Sequence, residues 1–250
     1  FNISTAAAFV AAASGLKVAK HGNRAASSSC GSADVLEALG VKIDLTPASV
    51  ARCVDEVGIG FMFAQAFHPA MRHAGPVRRE IGIPTVFNIL GPLTNPAGVQ
   101  HLLLGVADPD LGPTMARVLA LLGVSHALVV HGHGGLDELS LSGDTAVWEV
   151  QDGEVNPWTL NLVNTGLPLR STEEIRGGGK EQNAQTMRRI FQGENGPIRD
   201  IVLLNSAGVL LAGDQVESIK EGIQTAAKVI DDGGSLARLD GLVALSQNLE

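Results

Sequence analysis

Apolar and polar positions along the chain follow two periods, one typical of helices and one typical of strands. "HLLLGVAD" at 101–108 and "HALVVHG" at 126–132 are apolar runs of strand length, and "PTMARVLALLG" at 113–123 has the spacing of an amphipathic helix. A strand, a helix and a strand in this order indicate a β-α-β unit, whose strands run parallel in a sheet buried on both faces. The pattern therefore predicts an α/β fold.

Further elements are predicted on both sides of this unit. "TAVWEVQDGEVNPWTL" at 145–160 alternates apolar and polar residues around Asp152-Gly153, which indicates a β-hairpin. From Ser171 onward the sequence is mostly helical in character. Upstream of the unit we predict a helix at 4–15, a short strand at 16–19, a helix that Ser32 caps and Gly40 ends, and a helix that begins at Thr46-Pro47.

Composition and charge argue against several classes of function. The 250 residues are 45% hydrophobic and 18% charged, as in an ordinary globular protein, and no apolar run reaches the roughly eighteen residues of a membrane span. The net charge of −8 argues against a nucleic-acid binder, which needs an excess of Lys and Arg. Cys30 and Cys53 have neither metal-ligand spacing nor a disulfide pattern, and no signal peptide is recognised. We therefore expect the protein to reside in the reducing cytoplasm.

The stretch "VAKHGNRAASSSCGSADVLEALG" at 18–40 is the strongest candidate binding site. Lys20 and Arg24 provide positive charge, Gly22 permits close approach of the backbone, and Asn23 adds a neutral donor, as do the serines that follow. The loop follows an apolar strand, and ligands of α/β sheets bind at the carboxyl ends of strands. These features indicate a phosphate or pyrophosphate site, and the alternative is a solvated polar loop.

Two other segments carry groups suited to an anion or a metal. Asn2–Thr5, "NIST", leads into a helix whose free N–H groups and hydroxyls suit an anion, although an ordinary helix cap is the alternative. Asp137 and Glu138 lie in a glycine-rich loop after a strand, where hard oxygen ligands suit Mg²⁺ unless the loop is merely exposed. His131 and His133 suggest zinc, but a third soft ligand at fixed spacing is absent from this motif.

The segment "FHPAMRHAGPVRREIG" at 67–82 is helical in character and is interrupted by two prolines. It carries Arg72, Arg78 and Arg79, and a guanidinium group can bind a carboxylate through two parallel hydrogen bonds. By composition alone a solvated helix face is the better interpretation. The segment therefore offers a carboxylate site without establishing one.

Four motifs together resemble a known family in order and spacing: "NIST", "VAKHGNRAASSSCGSADVLEALG", "FHPAMRHAGPVRREIGIPTVFNILGPLTNPAG" and "HGHGGLDELSL". They are similar to the motifs of the anthranilate phosphoribosyltransferases, over essentially all 250 residues. The resemblance implies transfer of the phosphoribosyl group of phosphoribosyl pyrophosphate (PRPP) to anthranilate in tryptophan biosynthesis. The products are N-(5-phosphoribosyl)anthranilate and pyrophosphate, and the cofactor is Mg²⁺.

The resemblance also implies an architecture. A nucleoside phosphorylase-like α/β domain with a central, mostly parallel sheet flanked by helices is expected at 1–65 and 91–250. The segment at 66–90 is expected to belong to a small helical domain. The expected assembly is a homodimer, with PRPP and anthranilate as the small-molecule partners and neither a nucleic acid nor a membrane.

Roles of single residues follow from the resemblance. Asn23 and Arg78 are expected to contact anthranilate, and His68 is expected to line its entry path. His21 is the nearest candidate for a general base, but the aromatic amine is already neutral and needs positioning, so no base is assigned. The residues expected to contact PRPP are Asn2, Ile3, Ser4, Thr5, Lys20, His21, Gly22, Asn23, Arg24, Ala25, Ala26, Ser27, Ser28 and Ser32.

Ser4, Asp137 and Glu138 are the expected magnesium ligands under the same resemblance. The family also carries a "GTGGD" stretch and several helices ahead of the position of Phe1, and these do not occur in this sequence. One alternative is therefore a fragment that binds PRPP or a partner chain without turnover. Another is a pyrimidine nucleoside phosphorylase, although "GPVRREIG" together with "GLDELS" fits the transferase better.

Overall fold

Two sheets lie among helices in the computed structural model of the chain, which describes residues 1–25, 29–70, 80 and 85–250. In the smaller sheet, β1 (Val18–Gly22) pairs in parallel with β2 (Ile59–Phe63). The larger sheet has the order β3-β4-β5-β6, with a parallel β3–β4 pair and antiparallel β4–β5 and β5–β6 pairs. Its strands are β3 (His101–Gly105), β4 (His126–Gly132), β5 (Thr145–Gln151) and β6 (Glu154–Leu160).

Helices flank both sheets. The described α-helices are α1 (Ile3–Ala13), α2 (Ser32–Ala38), α3 (Pro47–Val57), α4 (Ala64–Phe67), α5 (Phe87–Leu93), α6 (Gly112–Leu121), α7 (Lys180–Phe191), α8 (Pro197–Ala212), α9 (Ile219–Asp231) and α10 (Gly234–Gln247). None of these combines the length and the apolar character that crossing a membrane requires.

Local sequence explains several of these boundaries. The Thr46 side chain accepts the Ser49 N–H at 3.2 Å, Pro47 occupies the first turn of α3, and Gly58 ends that helix with φ of 93°. Asp152 and Gly153 both have positive φ, which is the geometry of the tight turn that joins the strands of a β-hairpin. The predicted helix that begins at Thr46-Pro47 and the predicted hairpin are thus confirmed.

The core is built around α1. This helix is rich in alanine, and residues 5–12 are all buried, because small side chains allow α8 and α10 to pack closely against it. The Phe9 ring meets the Phe191 ring of α7 edge to face, with centroids 5.9 Å apart. Because α1 is packed in this way, its first turn belongs to a rigid element. The core also contains the free cysteines Cys30 and Cys53, which are both buried.

The α/β class is confirmed, but the larger sheet is mixed instead of mostly parallel, because the β5–β6 hairpin adds two antiparallel pairs to the parallel β3–β4 pair. The other differences from the sequence-based elements are local. The first strand begins at Val18 and runs to Gly22, so "KHG" ends a strand instead of beginning a loop. β2 was not predicted, because "IGFMF" follows a helix directly and lacks a turn signal. Gly31 is the N-cap of α2, and Ser32, which was expected to cap this helix, is its first residue. Gly40 follows the helix with φ of 96°, as expected. Most of the predicted helical segment at 67–82 lies outside the described residues.

Candidate active site

The first turn of α1, the end of β1 and the loop after β4 meet in one place. The Lys20 ammonium on β1 donates a hydrogen bond to the Ser4 hydroxyl on α1, at 3.2 Å. The Glu138 carboxylate, from the loop after β4, interacts with both the backbone N–H of Ser4 and the charge of Lys20. Three residues that belong to separate sequence motifs therefore form one cluster.

The charges of Lys20 and Glu138 do not fully stabilise each other in this cluster. Burial raises the pKa of Glu138 to about 7, and the charge of Asp137 adds to the rise, although Lys20 opposes it. Burial also lowers the pKa of Lys20, which the charge of Glu138 only partly offsets. Because each group is shifted toward its neutral form, each charge would be stabilised by a further ionic partner. The cluster is thus suited to receive an anion at Lys20 and a cation at Glu138.

Two glycines make room for the loop that carries the carboxylates. A Cβ atom on Gly105, the last residue of β3, would lie 1.7 Å from the Asp137 carbonyl oxygen. A Cβ atom on Gly132, the last residue of β4, would lie 2.3 Å from the Glu138 carbonyl oxygen. Any side chain at these positions would push the loop away, so the two glycines allow the backbone of Asp137 and Glu138 to lie against the carboxyl ends of β3 and β4.

The donor set of the cluster fits magnesium. Asp137, Glu138 and the Ser4 hydroxyl offer hard oxygen atoms, and Mg²⁺ is usually bound by one or two carboxylates, substrate phosphates and water. Among the described residues, no group of three His, Cys, Asp or Glu side chains could hold a metal by itself. This finding also disfavours zinc in the part of the loop that the structure describes, where His131 Nδ1 donates to the Val106 carbonyl at 2.9 Å.

The loop after β1 closes on the start of α2. Asp34 accepts the backbone N–H groups of Ala25 and Gly31, each at 2.9 Å. The Asn23 carbonyl accepts the Ser32 hydroxyl at 3.3 Å. The loop is therefore organised by hydrogen bonds to α2 at both of its described ends. Three residues of the predicted PRPP set, Ala26, Ser27 and Ser28, lie outside the described residues, as does Arg78 of the anthranilate set.

Arg24 contacts the protein itself in this structure. Its guanidinium group donates to Glu37 at 2.8 Å, lies 3.2 Å from Asp34, and stands 5.5 Å from the centroid of the Phe63 ring. The hydrogen bond to Glu37 raises the pKa of Arg24, and Asp34 adds to the rise. Its charge is already balanced by two carboxylates of α2. The assignment of Arg24 to PRPP therefore stays a prediction.

His21 and His68 face each other beside the cluster. Their ring centroids are 4.9 Å apart in an edge-to-face arrangement, and each Nε2 atom is buried with no hydrogen-bond partner among the described residues. Burial lowers the pKa of His21, and the neighbouring His68 and Lys20 lower it further. A hydrogen bond to the Gly91 backbone acts in the opposite direction and raises this pKa. The two residues thus form an aromatic wall with two buried ring nitrogens that a ligand can satisfy.

Asn2 is held in place by Asn183, a residue that sequence analysis missed. The Asn2 amide donates to the Cys30 carbonyl and accepts from the Asn183 amide, both at 3.0 Å, so it does not cap α1. Asn183 is buried and also accepts the Gly178 N–H at 2.8 Å. A polar residue within a helical segment gives no local signal of such a role, although the three glycines that precede α7 hint at one.

Comparisons with known proteins agree with this geometry. The family described as glycosyl transferase family, a/b domain, matches residues 1–236. The anthranilate phosphoribosyltransferase of Thermomicrobium roseum is 59% identical over 252 residues, which cover 100% of this chain and 72% of that protein. The anthranilate phosphoribosyltransferase of Dehalococcoides mccartyi is 54% identical and covers 100% of this chain and 74% of that protein. These relatives favour the transferase over the nucleoside phosphorylase alternative.

Two solved structures share the fold. Anthranilate phosphoribosyltransferase from Thermus thermophilus matches with a TM-score of 0.93 at 47% identity, over 98% of this chain and 73% of that chain. The Saccharomyces cerevisiae enzyme in complex with PRPP and Mg matches with a TM-score of 0.91 at 33% identity, over 100% of this chain and 70% of that chain. The chain therefore belongs to the anthranilate phosphoribosyltransferase family, the pentosyltransferases that join the phosphoribosyl group of PRPP to anthranilate in tryptophan biosynthesis.

Proposed function

We propose that this chain transfers the phosphoribosyl group of PRPP to the amine of anthranilate at the cluster of Ser4, Lys20, Asp137 and Glu138. The observation that carries the proposal is the meeting of Lys20 and the first turn of α1 with two carboxylates. An anion-binding side and a cation-binding side next to each other suit a diphosphate that is bound together with a divalent metal. Family membership supports PRPP and anthranilate as the substrates.

The residues of the anion-binding side stabilise the leaving group. In the reaction the bond between the ribose anomeric carbon and the pyrophosphate oxygen breaks, so negative charge grows on pyrophosphate while the ribose gains oxocarbenium character. Lys20 and the N–H groups at Asn2–Thr5 are fixed in advance of this change, which makes them effective electrostatic catalysts. Gly22, Asn23, Ala25 and Ser32 line the loop between β1 and α2, where we place the rest of PRPP.

We assign the metal to Ser4, Asp137 and Glu138. Mg²⁺ bound there supplies further neutralisation of the charge on pyrophosphate. The support from this chain is the pair of adjacent carboxylates, together with the hydroxyl of Ser4 beside Lys20. The structure of the yeast relative in complex with PRPP and Mg supports a magnesium ion as the cation, and the choice of ligands is our proposal.

We propose that anthranilate binds beside His21 and His68. Its aromatic amine is neutral at pH 7, so the reaction requires the amine to be oriented toward the anomeric carbon more than it requires a base. Burial lowers the pKa of His21 and so favours its neutral form, and the two imidazole rings suit contact with an aromatic ring. Asn23 and Arg78 complete the proposed contacts, and Arg78 would bind the carboxylate of anthranilate.

The proposal has three further parts. The resemblance to the family supports a homodimer, and the two free cysteines favour a reducing cytoplasm as the place of action. Residues 1–65 and 91–250 form the α/β domain, and residues 66–90 belong to a small helical domain. Size-exclusion chromatography with light scattering tests the dimer, and a monomer at micromolar concentration would contradict it.

The loss of anthranilate fluorescence on mixing the chain with PRPP and Mg²⁺ tests the proposed reaction. We expect the signal to fall only when both PRPP and Mg²⁺ are present, because the transfer consumes anthranilate and requires the metal-bound diphosphate. Reactions without PRPP and reactions with excess chelator are the matched controls. A constant signal, in a sample whose melting temperature PRPP still raises, would reduce the protein to a PRPP binder and contradict transfer.

A further inference from the structure

Asn205 is a fully buried polar residue on α8 that the proposed reaction does not use directly. Its amide oxygen accepts the Leu139 N–H at 2.9 Å, and its amide nitrogen donates to the Leu139 and Ile201 carbonyls, each at 3.0 Å. The side chain thus pairs with both backbone groups of Leu139, as a neighbouring β-strand would. Buried backbone groups without partners are costly, so this pairing strongly favours one position of Leu139.

Leu139 directly follows the two carboxylates of the proposed metal site. On the other side of the pair, the Leu136 carbonyl accepts the Gly132 N–H at 2.7 Å. Asp137 and Glu138 therefore lie on a two-residue segment between two anchors. The first anchor belongs to the backbone at the end of β4, and the second depends on the side chain of Asn205.

Helix α8 also supports the opposite side of the site. It packs along α1, whose first turn carries Ser4, and Gly208 on the next turn of α8 makes room for the Leu139 side chain. A Cβ atom on Gly208 would lie 2.7 Å from Leu139 Cδ1. One helix therefore fixes the distance between the carboxylate loop and the anion-binding end of α1.

We propose that Asn205 is a positioning residue that holds Asp137 and Glu138 in the geometry required for the metal. The inference rests on the proposed function, because it takes these carboxylates as the metal ligands. A ligand loop that shifts by a fraction of an ångström loses affinity for Mg²⁺, which tolerates little departure from octahedral geometry. Residues that orient metal ligands typically contribute roughly 10- to 100-fold to metal affinity.

Binding of Mn²⁺ in the presence of PRPP and without anthranilate tests this role, with free Mn²⁺ followed by electron paramagnetic resonance. We expect Asn205→Ala to weaken Mn²⁺ binding by roughly 10- to 100-fold. Asn205→Ser should act in the same way, because its hydroxyl is too short to reach Leu139 but can bond to the Ile201 carbonyl. Ser206→Ala is the matched control, since Ser206 is equally buried on α8 and its hydroxyl has no partner among the described residues.

The measurements separate the possible outcomes. An Asn205 variant that melts cooperatively at a lower temperature, yet binds Mn²⁺ as tightly as the unchanged protein, would show a purely structural role and overturn the inference. The double variant Asp137→Asn with Glu138→Gln tests the proposed metal site itself, and we expect it to lose Mn²⁺ binding. If the double variant binds Mn²⁺ normally, the metal assignment is wrong. If it loses binding while both Asn205 variants retain it, the assignment of the ligands stands and the role of Asn205 is wrong.

Discussion

Two clusters of histidine and charged side chains lie at opposite ends of β4 and differ in how completely their polar atoms are paired. At the first residue of the strand, His126 Nδ1 is 2.6 Å from an Asp214 oxygen, and its Nε2 is 2.9 Å from a Glu149 oxygen. The second Glu149 oxygen accepts the Trp158 indole N–H at 2.8 Å. The ring of His126 therefore has a carboxylate partner at both nitrogens.

The cluster at the other end of β4 is incomplete. Lys20 and Glu138 are both shifted toward neutral forms, and the Nε2 atoms of His21 and His68 have no partner among the described residues. An open cleft of about 520 Å³ borders the completed cluster and is lined by His126, Glu149 and Asp214 among other residues. The incomplete cluster is therefore the better candidate for a ligand site, because its charges and ring nitrogens leave room for further partners. The completed cluster instead ties β4, β5 and β6 to the turn that follows α8.

Replacement of Lys20 by Gln gives the largest effect expected from this comparison. The variant loses a charged donor at the anion-binding side, and such hydrogen bonds contribute roughly 1.5–3 kcal/mol. We expect KM for PRPP to rise by roughly 10- to 150-fold, while KM for anthranilate changes far less. Steady-state kinetics with each substrate varied in turn provides the measurement. An unchanged KM for PRPP would remove Lys20 from the site.

Replacement of His126 by Ala should affect stability and leave substrate binding unchanged. The variant removes a buried imidazole and its hydrogen bond to the largely buried Glu149, and a hydrogen bond to a charged group contributes roughly 1.5–3 kcal/mol. Asp214 is more than half exposed, so water can replace its contact with His126. Urea denaturation at pH 7 measures the free energy of unfolding, and KM for PRPP serves as the control. A raised KM for PRPP with unchanged stability would mean that the completed cluster also takes part in binding.

The smallest expected effect concerns the pH dependence of stability at His21. Burial lowers the pKa of His21 in the folded protein, so below about pH 6.5 the unfolded chain takes up a proton more readily than the folded chain does. Stability is therefore lost as the pH falls below that value. We expect His21→Gln to reduce the loss of unfolding free energy between pH 7 and pH 5.5, as measured by urea denaturation. An identical loss in the variant would contradict the lowered pKa.

Much of this site could be predicted from sequence because its parts are local motifs. The Lys20 motif and the carboxylate loop each follow an apolar run, and their glycines mark close approaches of the backbone. The structure adds that Ser4, Lys20 and Glu138 interact, which the sequence indicated through the resemblance to a family and not through spacing. The β5–β6 hairpin was equally clear, because alternation and the turn at Asp152-Gly153 agree.

The supporting residues could not be predicted, because their partners are distant in sequence. Asn183 bonds to Asn2 across 181 positions, and Asn205 bonds to Leu139 across 66. Within a helical segment, an asparagine of this kind looks like a break in the apolar face, and no local pattern distinguishes it from an exposed residue. The pairing of Arg24 with Glu37 was also missed, because the charged loop alone suggested a ligand instead of α2.

Anomalous diffraction from a crystal of the protein grown with PRPP and Mn²⁺ tests the central claim most directly. We expect a manganese peak within bonding distance of the Asp137 and Glu138 carboxylates, with PRPP phosphates beside Lys20 and the first turn of α1. We expect no peak beside His126, whose nitrogens are already paired. A manganese peak among His126, Glu149 and Asp214, with none at Asp137 and Glu138, would contradict the account.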